Sequence, residues 1–206
     1  MLLFTNMIWI FGDSFSHRFI DFTEPYNVRD YVKLKGYSPK MYFDYLSEEY
    51  GEEINNHSLG GMCNDYIFLK FIENYQNIKK NDIVLFGWTE ITRFSVPHND
   101  IWYSSIFFNN VLSKTTINEI EVTRTHPLHK ERQISIMNFI DSILNKNMVV
   151  HWTWSNIDKN ERSTIEKETN GQIIDFHYGE MGQFELYETI SQELKKSNKI
   201  RIDTWE

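Results

Sequence analysis

Residues 7–16 read MIWIFGDSFS, an apolar run that passes directly into a Gly-Asp-Ser turn. A short run rich in β-branched and aromatic residues is typical of a buried strand, and Gly12 permits a sharp change of backbone direction after it. A serine at the carboxyl end of a strand projects its hydroxyl into the crevice above the sheet. Ser14 is therefore the first candidate for chemistry, although Gly-Asp-Ser also forms ordinary turns.

Outward from this stretch, short apolar runs alternate with longer amphipathic ones, which is the pattern of βαβ units around a parallel sheet. Strands are predicted at 7–11, 54–58, 82–88, 148–154 and 172–176. Helices are predicted at about 39–50, 65–78, 129–145 and 182–195. We expect an α/β fold, a three-layer α/β/α sandwich around a parallel five-stranded sheet of flavodoxin-like order. One domain is expected over residues 1–206.

Two segments do not follow the alternation, at about 16–37 and 95–125. Both follow strand ends, where the loops of an open α/β sheet build the site. Two interpretations stay open: these insertions form walls or a lid over a substrate, or they are surface decoration or an oligomer contact.

The composition excludes several classes of function. The 206 residues carry 21 Lys and Arg against 29 Asp and Glu, a net charge of −8, which argues against a protein that tracks nucleic-acid phosphates. The single cysteine, Cys63, rules out an internal disulfide and a multi-cysteine metal site. The N-terminal apolar run lacks a basic leader and a cleavage site, and no stretch reaches the length of a membrane span. We expect a cytoplasmic protein without a membrane span.

A serine hydroxyl becomes a good nucleophile only when a base accepts its proton, and that base is usually a histidine oriented by a third group. His177 is favoured among seven histidines because it follows the last predicted strand and precedes the last helix. The loops after the first and last strands can converge over the crevice, which would bring His177 to Ser14. Asp175 is the nearest carboxylate that could orient the imidazole.

These features resemble the SGNH/GDSL hydrolase superfamily from the first strand to the last helix. The family's first block resembles GDSFS, which implies that Ser14 is the nucleophile and that its backbone N–H is one oxyanion donor. The second block, a glycine after the second strand, resembles NNHSLGG at residues 55–61. It implies Gly61 as the second donor, with Gly60 as its neighbour.

Two further blocks depart from the family pattern. The third block is usually Gly-X-Asn-Asp, and the matching place reads Gly87-Trp88-Thr89-Glu90. The Thr89 hydroxyl would then replace the asparagine amide, although it is shorter; losing one such donor costs about 3 kcal/mol. The last block is usually Asp-X-X-His, and Asp175-Phe176-His177 is one residue shorter. The alternative to Asp175 is then that this carboxylate does not face the imidazole and a backbone carbonyl orients the ring instead.

Substrate contacts are assigned to three residues. Arg93 either pairs with Glu90 or holds an anionic group of the substrate. Trp88 is the second, and Trp152 is the third. Trp152 and Trp154 lie at the end of the fourth predicted strand, where an indole suits stacking on a sugar face; the alternative is that these side chains belong to the core.

The resemblance implies a serine esterase acting on small acyl esters, with carbohydrate O-acetyl groups as the best substrate class. No cofactor or metal is expected, no Gly-rich phosphate-binding motif is present, and the oligomeric state is open. The alternative is a non-catalytic protein of the same fold that binds glycans or a protein partner.

Overall fold

A computed structural model gives the fold of the chain and describes residues 6–17, 26–91, 93, 95–98, 101–104, 127–154, 162–173, 175 and 177–205. Its strands are β1 (Met7–Gly12), β2 (Glu53–Asn56), β3 (Ile83–Trp88), β4 (Ser95–His98), β5 (Ile101–Ser104), β6 (Met148–Thr153) and β7 (Lys199–Ile202). Its helices are α1 (Tyr26–Lys35), α2 (Tyr42–Tyr50), α3 (Asn64–Asn74), α4 (Pro127–Ile143), α5 (Ile165–Glu168) and α6 (Glu180–Leu194), with a 3₁₀ turn at Tyr75–Asn77.

The central sheet is parallel and five-stranded, in the order β2-β1-β3-β6-β7. Counted within this sheet alone, the order is the 2-1-3-4-5 of flavodoxin-like folds, so the predicted α/β class is confirmed. Strands β4 and β5 form a separate antiparallel pair inside the second predicted insertion. The rest of that insertion, 99–100 and 105–125, lies outside the described residues.

Alternation along the strands builds two cores, one on each face of the sheet. Ile8 and Ile10 of β1 belong to the core that also contains residues of α2 and α6, whereas Trp9 and Phe11 belong to the core with α3 and α4. Because successive side chains of a strand point to opposite faces, one six-residue strand contributes to both layers. The result is the three-layer sandwich.

Two glycines let the turn after β1 pack against the sheet. Gly12 of β1 and Gly87 of β3 are register partners. A Cβ on Gly12 would lie 2.6 Å from the Ser16 Oγ, and one on Gly87 would lie 2.9 Å from a ring carbon of Trp152 and still closer to the Ser16 Oγ. The two glycines therefore make room for Ser16, whose hydroxyl shares a 3.0 Å hydrogen bond with the Tyr42 hydroxyl.

The prediction of a strand at 172–176 is wrong. Gln172 and Ile173 lie in a bend, and the Ile173 N–H donates to the Thr169 Oγ1 at 3.2 Å rather than to a neighbouring strand. Ile173 is nevertheless buried, against Tyr31 of α1 and Ile165. The apolar character of Ile173 thus agrees with its burial, but the residue lies in a bend rather than in a strand.

The fifth strand is instead β7, which follows the last helix. Its four residues alternate Lys, Ile, Arg and Ile, so the period-two signal is short. Its polar side chains also bond to neighbouring elements: the Lys199 Nζ donates to the carbonyls of Leu144 and Asn147 at 2.6 and 2.9 Å. These contacts satisfy backbone acceptors just beyond the end of α4.

The helix predictions are confirmed apart from their ends, and two helices were not predicted, α1 and the four-residue α5. The helix predicted at about 39–50 begins only at Tyr42, although it ends before Gly51 as expected. Helix α1 lies in the first predicted insertion, where no period was detected. Its Lys35 Nζ donates to the Glu168 carbonyl at 3.2 Å, and Tyr37 just beyond it donates to the Glu180 carboxylate at 2.6 Å. This part of the insertion therefore packs on α5 and on the start of α6.

None of the helices within the described ranges combines the length and apolar composition that crossing a bilayer requires.

Candidate active site

The turn after β1 is fixed by one buried carboxylate, that of Asp13. Its Oδ1 accepts from the Phe15 N–H at 3.0 Å, and its backbone carbonyl accepts from the Ser16 N–H at 3.1 Å. Its Oδ2 accepts from the Trp154 Nε1 at 2.8 Å and the Arg93 Nη1 at 3.2 Å. A fully buried carboxylate needs such partners, and here they also hold the backbone on both sides of Ser14.

The loop between α5 and α6 carries His177, and the start of α5 holds this loop in place. The Ile165 N–H donates to the His177 carbonyl at 2.8 Å, and the Glu166 N–H donates to the Asp175 carbonyl at 3.0 Å. Next along the chain, Tyr178 forms a β-bridge with Thr164. Backbone bonds therefore fix the position of the imidazole before any side-chain contact is counted.

Ser14, His177 and Asp175 form one hydrogen-bonded relay. The His177 Nε2 lies 2.8 Å from the Ser14 Oγ, and the Nδ1 lies 2.6 Å from the Asp175 Oδ1. A carboxylate can only accept, so Nδ1 carries the proton and the neutral ring presents an Nε2 lone pair to the serine hydroxyl. The hydroxyl is thus placed to give its proton to the imidazole.

The shorter spacing between Asp175 and His177 does not separate the two side chains. The Asp175 Oδ1 accepts both the ring N–H and, at 2.9 Å, the backbone N–H of His177. The expectation that a backbone carbonyl takes over the orientation of the ring is therefore wrong. The Asp175 side chain turns toward the backbone of His177, so a carboxylate only two residues before the histidine still reaches the ring nitrogen.

Aromatic packing supports the histidine from one side. The Phe15 ring centroid lies 4.6 Å from that of His177, 4.6 Å from that of Trp154 and 5.0 Å from that of Tyr178. Phe15 is buried, while the His177 side chain keeps 23% of its surface exposed. The ring is held in place yet stays open to solvent and to a small molecule.

Two backbone N–H groups, those of Ser14 and Gly61, are the candidates for stabilising an oxyanion. Neither the Ser14 N–H nor the Gly61 N–H donates a hydrogen bond to any described residue. Gly61 has a φ of 76°, a left-handed conformation that favours glycine. The chain just before Gly61 contacts the end of β1, because the Leu59 N–H donates to the Gly12 carbonyl at 3.1 Å. The geometry allows Gly61 the oxyanion-donor role that the resemblance implies.

The prediction that the Thr89 hydroxyl faces an oxyanion is wrong. Thr89 is fully buried, and its Oγ1 is out of contact with solvent and has no partner among the described residues. Its backbone is paired with Asn64, whose side chain donates to the Thr89 carbonyl at 3.1 Å and accepts from the Thr89 N–H at 2.8 Å. Thr89 joins the loop after β3 to α3.

The prediction that Trp88 and Trp152 contact a substrate is also wrong, because both side chains lie in the core. Each indole is fully buried, Trp88 in the core with α3 and α4, and Trp152 in the core with α2 and α6. The Trp88 Nε1 donates to the His151 Nδ1 at 3.1 Å. A substrate above the sheet edge cannot stack on either ring.

Arg93 lies at the site, but with a partner that the sequence did not predict. Its ion pair is with Asp13, both side chains are buried, and its guanidinium lies 5.3 Å from the Trp154 ring centroid. Arg93 and Trp154 therefore hold the turn after β1, which contains Ser14, through their contacts with Asp13. The signal for Asp13 was present in the sequence, since an Asp two residues before the N–H it accepts is a common turn pattern.

Within the described part of the chain, no group of three or more His, Cys, Asp or Glu side chains is arranged to hold a metal ion. Comparison with models of known protein families finds no match, and comparison with curated protein sequences finds none either. The chemistry of the site is therefore inferred from its geometry.

Proposed function

We propose that this protein is a serine ester hydrolase that cleaves small acyl esters through an acyl-enzyme on Ser14. The observation that carries the proposal is the relay Ser14–His177–Asp175, with contacts of 2.8 and 2.6 Å at the carboxyl edge of a parallel sheet. Nucleophile, base and orienting acid within hydrogen-bond reach are the signature of an activated serine.

In the first half-reaction, the His177 Nε2 accepts the Ser14 proton while the Oγ attacks the ester carbonyl carbon. The oxyanion that forms is stabilised by the N–H groups of Ser14 and Gly61. Collapse of this intermediate breaks the ester bond, and the imidazolium gives its proton to the departing alcohol. The acyl group stays on Ser14.

In the second half-reaction, water takes the place of the alcohol. His177 accepts a proton from the water, which attacks the acyl carbon, and the same ring then returns a proton to Ser14 as the acid leaves. Throughout, the Asp175 carboxylate holds the ring in one tautomer and stabilises its cationic form. No redox change occurs and no cofactor is required.

The burial of the Thr89 hydroxyl leaves two donors for the oxyanion. Removing one donor from such a hole typically costs about 10²- to 10³-fold in kcat, so a modest turnover number is expected. Carbohydrate O-acetyl groups remain a predicted substrate class, now without support from Trp88 or Trp152.

A fluorophosphonate probe and para-nitrophenyl acetate test the proposal together. The wild-type protein should be labelled and should hydrolyse the ester, and Ser14→Ala should do neither. Ser135→Ala is the matched control, because that exposed serine lies on α4 and its hydroxyl donates to the Glu131 carbonyl; it should behave as wild type.

Labelling of a folded Ser14→Ala protein would place the nucleophile elsewhere. A folded wild-type protein that is neither labelled nor active would favour the alternative, a binding module on the same fold.

A further inference from the structure

A small polar pocket lies between α3, α4 and the loop after β3. It is lined by Asp65 from the first turn of α3, by Arg93, and by His129, Arg132 and Gln133 from the first two turns of α4. In a parallel α/β sheet, the helices that follow strands begin at the carboxyl edge. The pocket therefore opens at the same edge of the sheet as Ser14.

Arg93 connects the pocket to the nucleophile. One side of this arginine lines the pocket, and its Nη1 donates to the carboxylate of Asp13, the residue directly before Ser14. The 3.2 Å contact and ordinary bond lengths limit the distance between the Arg93 guanidinium and the Ser14 hydroxyl to at most about 14 Å. That span fits one small ester with a substituent at its far end.

One buried donor at the pocket, the Gln133 side-chain amide, has no acceptor within the described part of the chain. This side chain is only 5% exposed, and its Nε2 finds no acceptor among the described residues. A buried amide N–H is normally paired, so this one is a donor that a bound acceptor group would satisfy. Asn64, which also lines the pocket, cannot take this role because both polar atoms of its side chain are paired with the Thr89 backbone.

Hydrogen-bond donors, rather than net charge, suit the pocket to an anion. Each of the two arginines that line it is paired with a carboxylate, Arg93 with Asp13 at 3.2 Å and Arg132 with Asp65 at 2.8 Å, and each guanidinium has further N–H groups beyond that contact. The pocket also faces the amino-terminal ends of α3 and α4, which carry the positive ends of the helix dipoles. Guanidinium and amide donors together match the oxygens of a carboxylate or phosphate.

We propose that this pocket binds an anionic oxygen group carried by the substrate, so that the enzyme prefers esters bearing a carboxylate or phosphate at the end remote from the scissile bond. The inference rests on the proposed esterase activity and adds the substrate class. Arg132 and Gln133 are the specificity residues. Arg93, which lines the same pocket and is bonded to Asp13, contributes a further donor.

A matched ester pair tests the inference: 4-acetoxybenzoate, which is anionic, and its neutral methyl ester. Wild-type kcat/KM should favour the anion by about tenfold, the effect of one hydrogen bond to a charged group. Arg132→Gln and Gln133→Leu should each reduce that ratio by at least about threefold. Lys130→Gln is the control, because Lys130 is exposed on the same helix and does not line the pocket; it should keep the wild-type ratio.

Equal kcat/KM for the two esters in the wild type would overturn the inference, as would a preference for the anion that survives both pocket substitutions. Circular dichroism and fluorophosphonate labelling report whether each variant is folded and reactive.

Binding of 4-hydroxybenzoate, measured by calorimetry, needs no turnover. If the protein hydrolyses neither ester, the proposed function fails, while binding that Arg132→Gln weakens still supports the pocket. Absence of binding, or binding unchanged in that variant, overturns it.

Discussion

Two histidine–aspartate pairs stand out within the described part of the chain, and they differ in what lies on the far side of the ring. His177 gives its Nδ1–H to Asp175 and turns its Nε2 to the Ser14 hydroxyl. His151 lies 3.2 Å through its Nε2 from Asp141, and its Nδ1 accepts from the Trp88 indole. The same two residue types form a chain of hydrogen bonds that ends at the Ser14 hydroxyl in one place and at a core indole in the other.

Access to solvent separates the two pairs further. The His177 side chain is 23% exposed, whereas His151 is fully buried. Asp141 also forms an ion pair with Arg201 at 3.0 Å. The hydrogen bonds of His151 therefore lead to Trp88 on one side and, through Asp141, to Arg201 on the other, and neither is a nucleophile. A histidine–aspartate pair is therefore a candidate for catalysis only where the second ring nitrogen faces a reactive group that a substrate can approach.

The largest effect is expected at the exposed pair. His177→Gln should lower kcat for para-nitrophenyl acetate by about 10⁴-fold or more, because the serine then lacks a base. The thermal midpoint should change little, since the ring is partly exposed. Initial rates and circular dichroism measure the two quantities, and kcat within tenfold of wild type would remove His177 from the mechanism.

Asp175→Asn is expected to lower kcat by about 10²- to 10⁴-fold, since an amide can donate to Nδ1 and select the wrong tautomer. Asp141→Asn, the matched change in the buried pair, should alter kcat less than about tenfold. Steady-state kinetics on the two folded variants make the comparison. Equal losses of activity would mean that the pairs do not divide into a catalytic and a structural one.

His151→Gln should act on stability rather than on rate. The change leaves the Trp88 indole N–H and the Asp141 carboxylate poorly paired in the interior, and we expect a loss of about 1–3 kcal/mol in the free energy of unfolding. Denaturant titration measures it. Unchanged stability together with lost activity would contradict the structural role of this ring.

The smallest effect concerns pH. Burial lowers the pKa of His151 below its ordinary 6.5, a shift that the Asp141 contact opposes and that the nearby Arg201 and Lys199 reinforce. A histidine with a lowered folded pKa contributes stability in full above its unfolded pKa, and this contribution is lost as the pH falls through the folded value. The free energy of unfolding should therefore decrease below about pH 6.5, by up to about 1.4 kcal/mol per pH unit.

In His151→Gln the free energy of unfolding should decrease less steeply with falling pH than in the wild type. Part of this decrease should persist, because burial also lowers the pKa of His57. Denaturant midpoints at pH 7.5 and 5.5 give both slopes, and identical slopes in the two proteins would show that His151 does not titrate on unfolding.

Much of the fold was predictable from local patterns. Strands β1, β3 and β6 are continuous apolar runs, and parallel strands buried on both faces are expected to look this way. Strand β7 was missed because Lys199 and Arg201 dilute its apolar signal. The strand at 172–176 was predicted in error because a bend that contains a buried isoleucine, such as Ile173, can resemble a buried strand in composition.

The candidate site was only partly predictable. Ser14, His177 and Asp175 were named from their places at predicted element ends, and the structure brings their side chains together. Thr89, Trp88 and Trp152 were assigned by position along strands, and that position does not say whether a side chain reaches the surface. Asp13 was not assigned a role, and the Trp154 indole was interpreted as a surface for a sugar, because the contacts that join Asp13 to Arg93 and Trp154 span 80 and 141 residues of sequence.

The sequence by itself determined that β1 ends in a glycine followed by an acid and a serine, and that buried strands alternate with amphipathic helices, because periodicity and turn chemistry are local properties. The tertiary structure decided which of seven histidines faces Ser14, which acid holds that histidine, and which polar groups are left unpaired. These are properties of contacts between segments up to 163 residues apart, as for His177 and Ser14, and only the packed chain defines them.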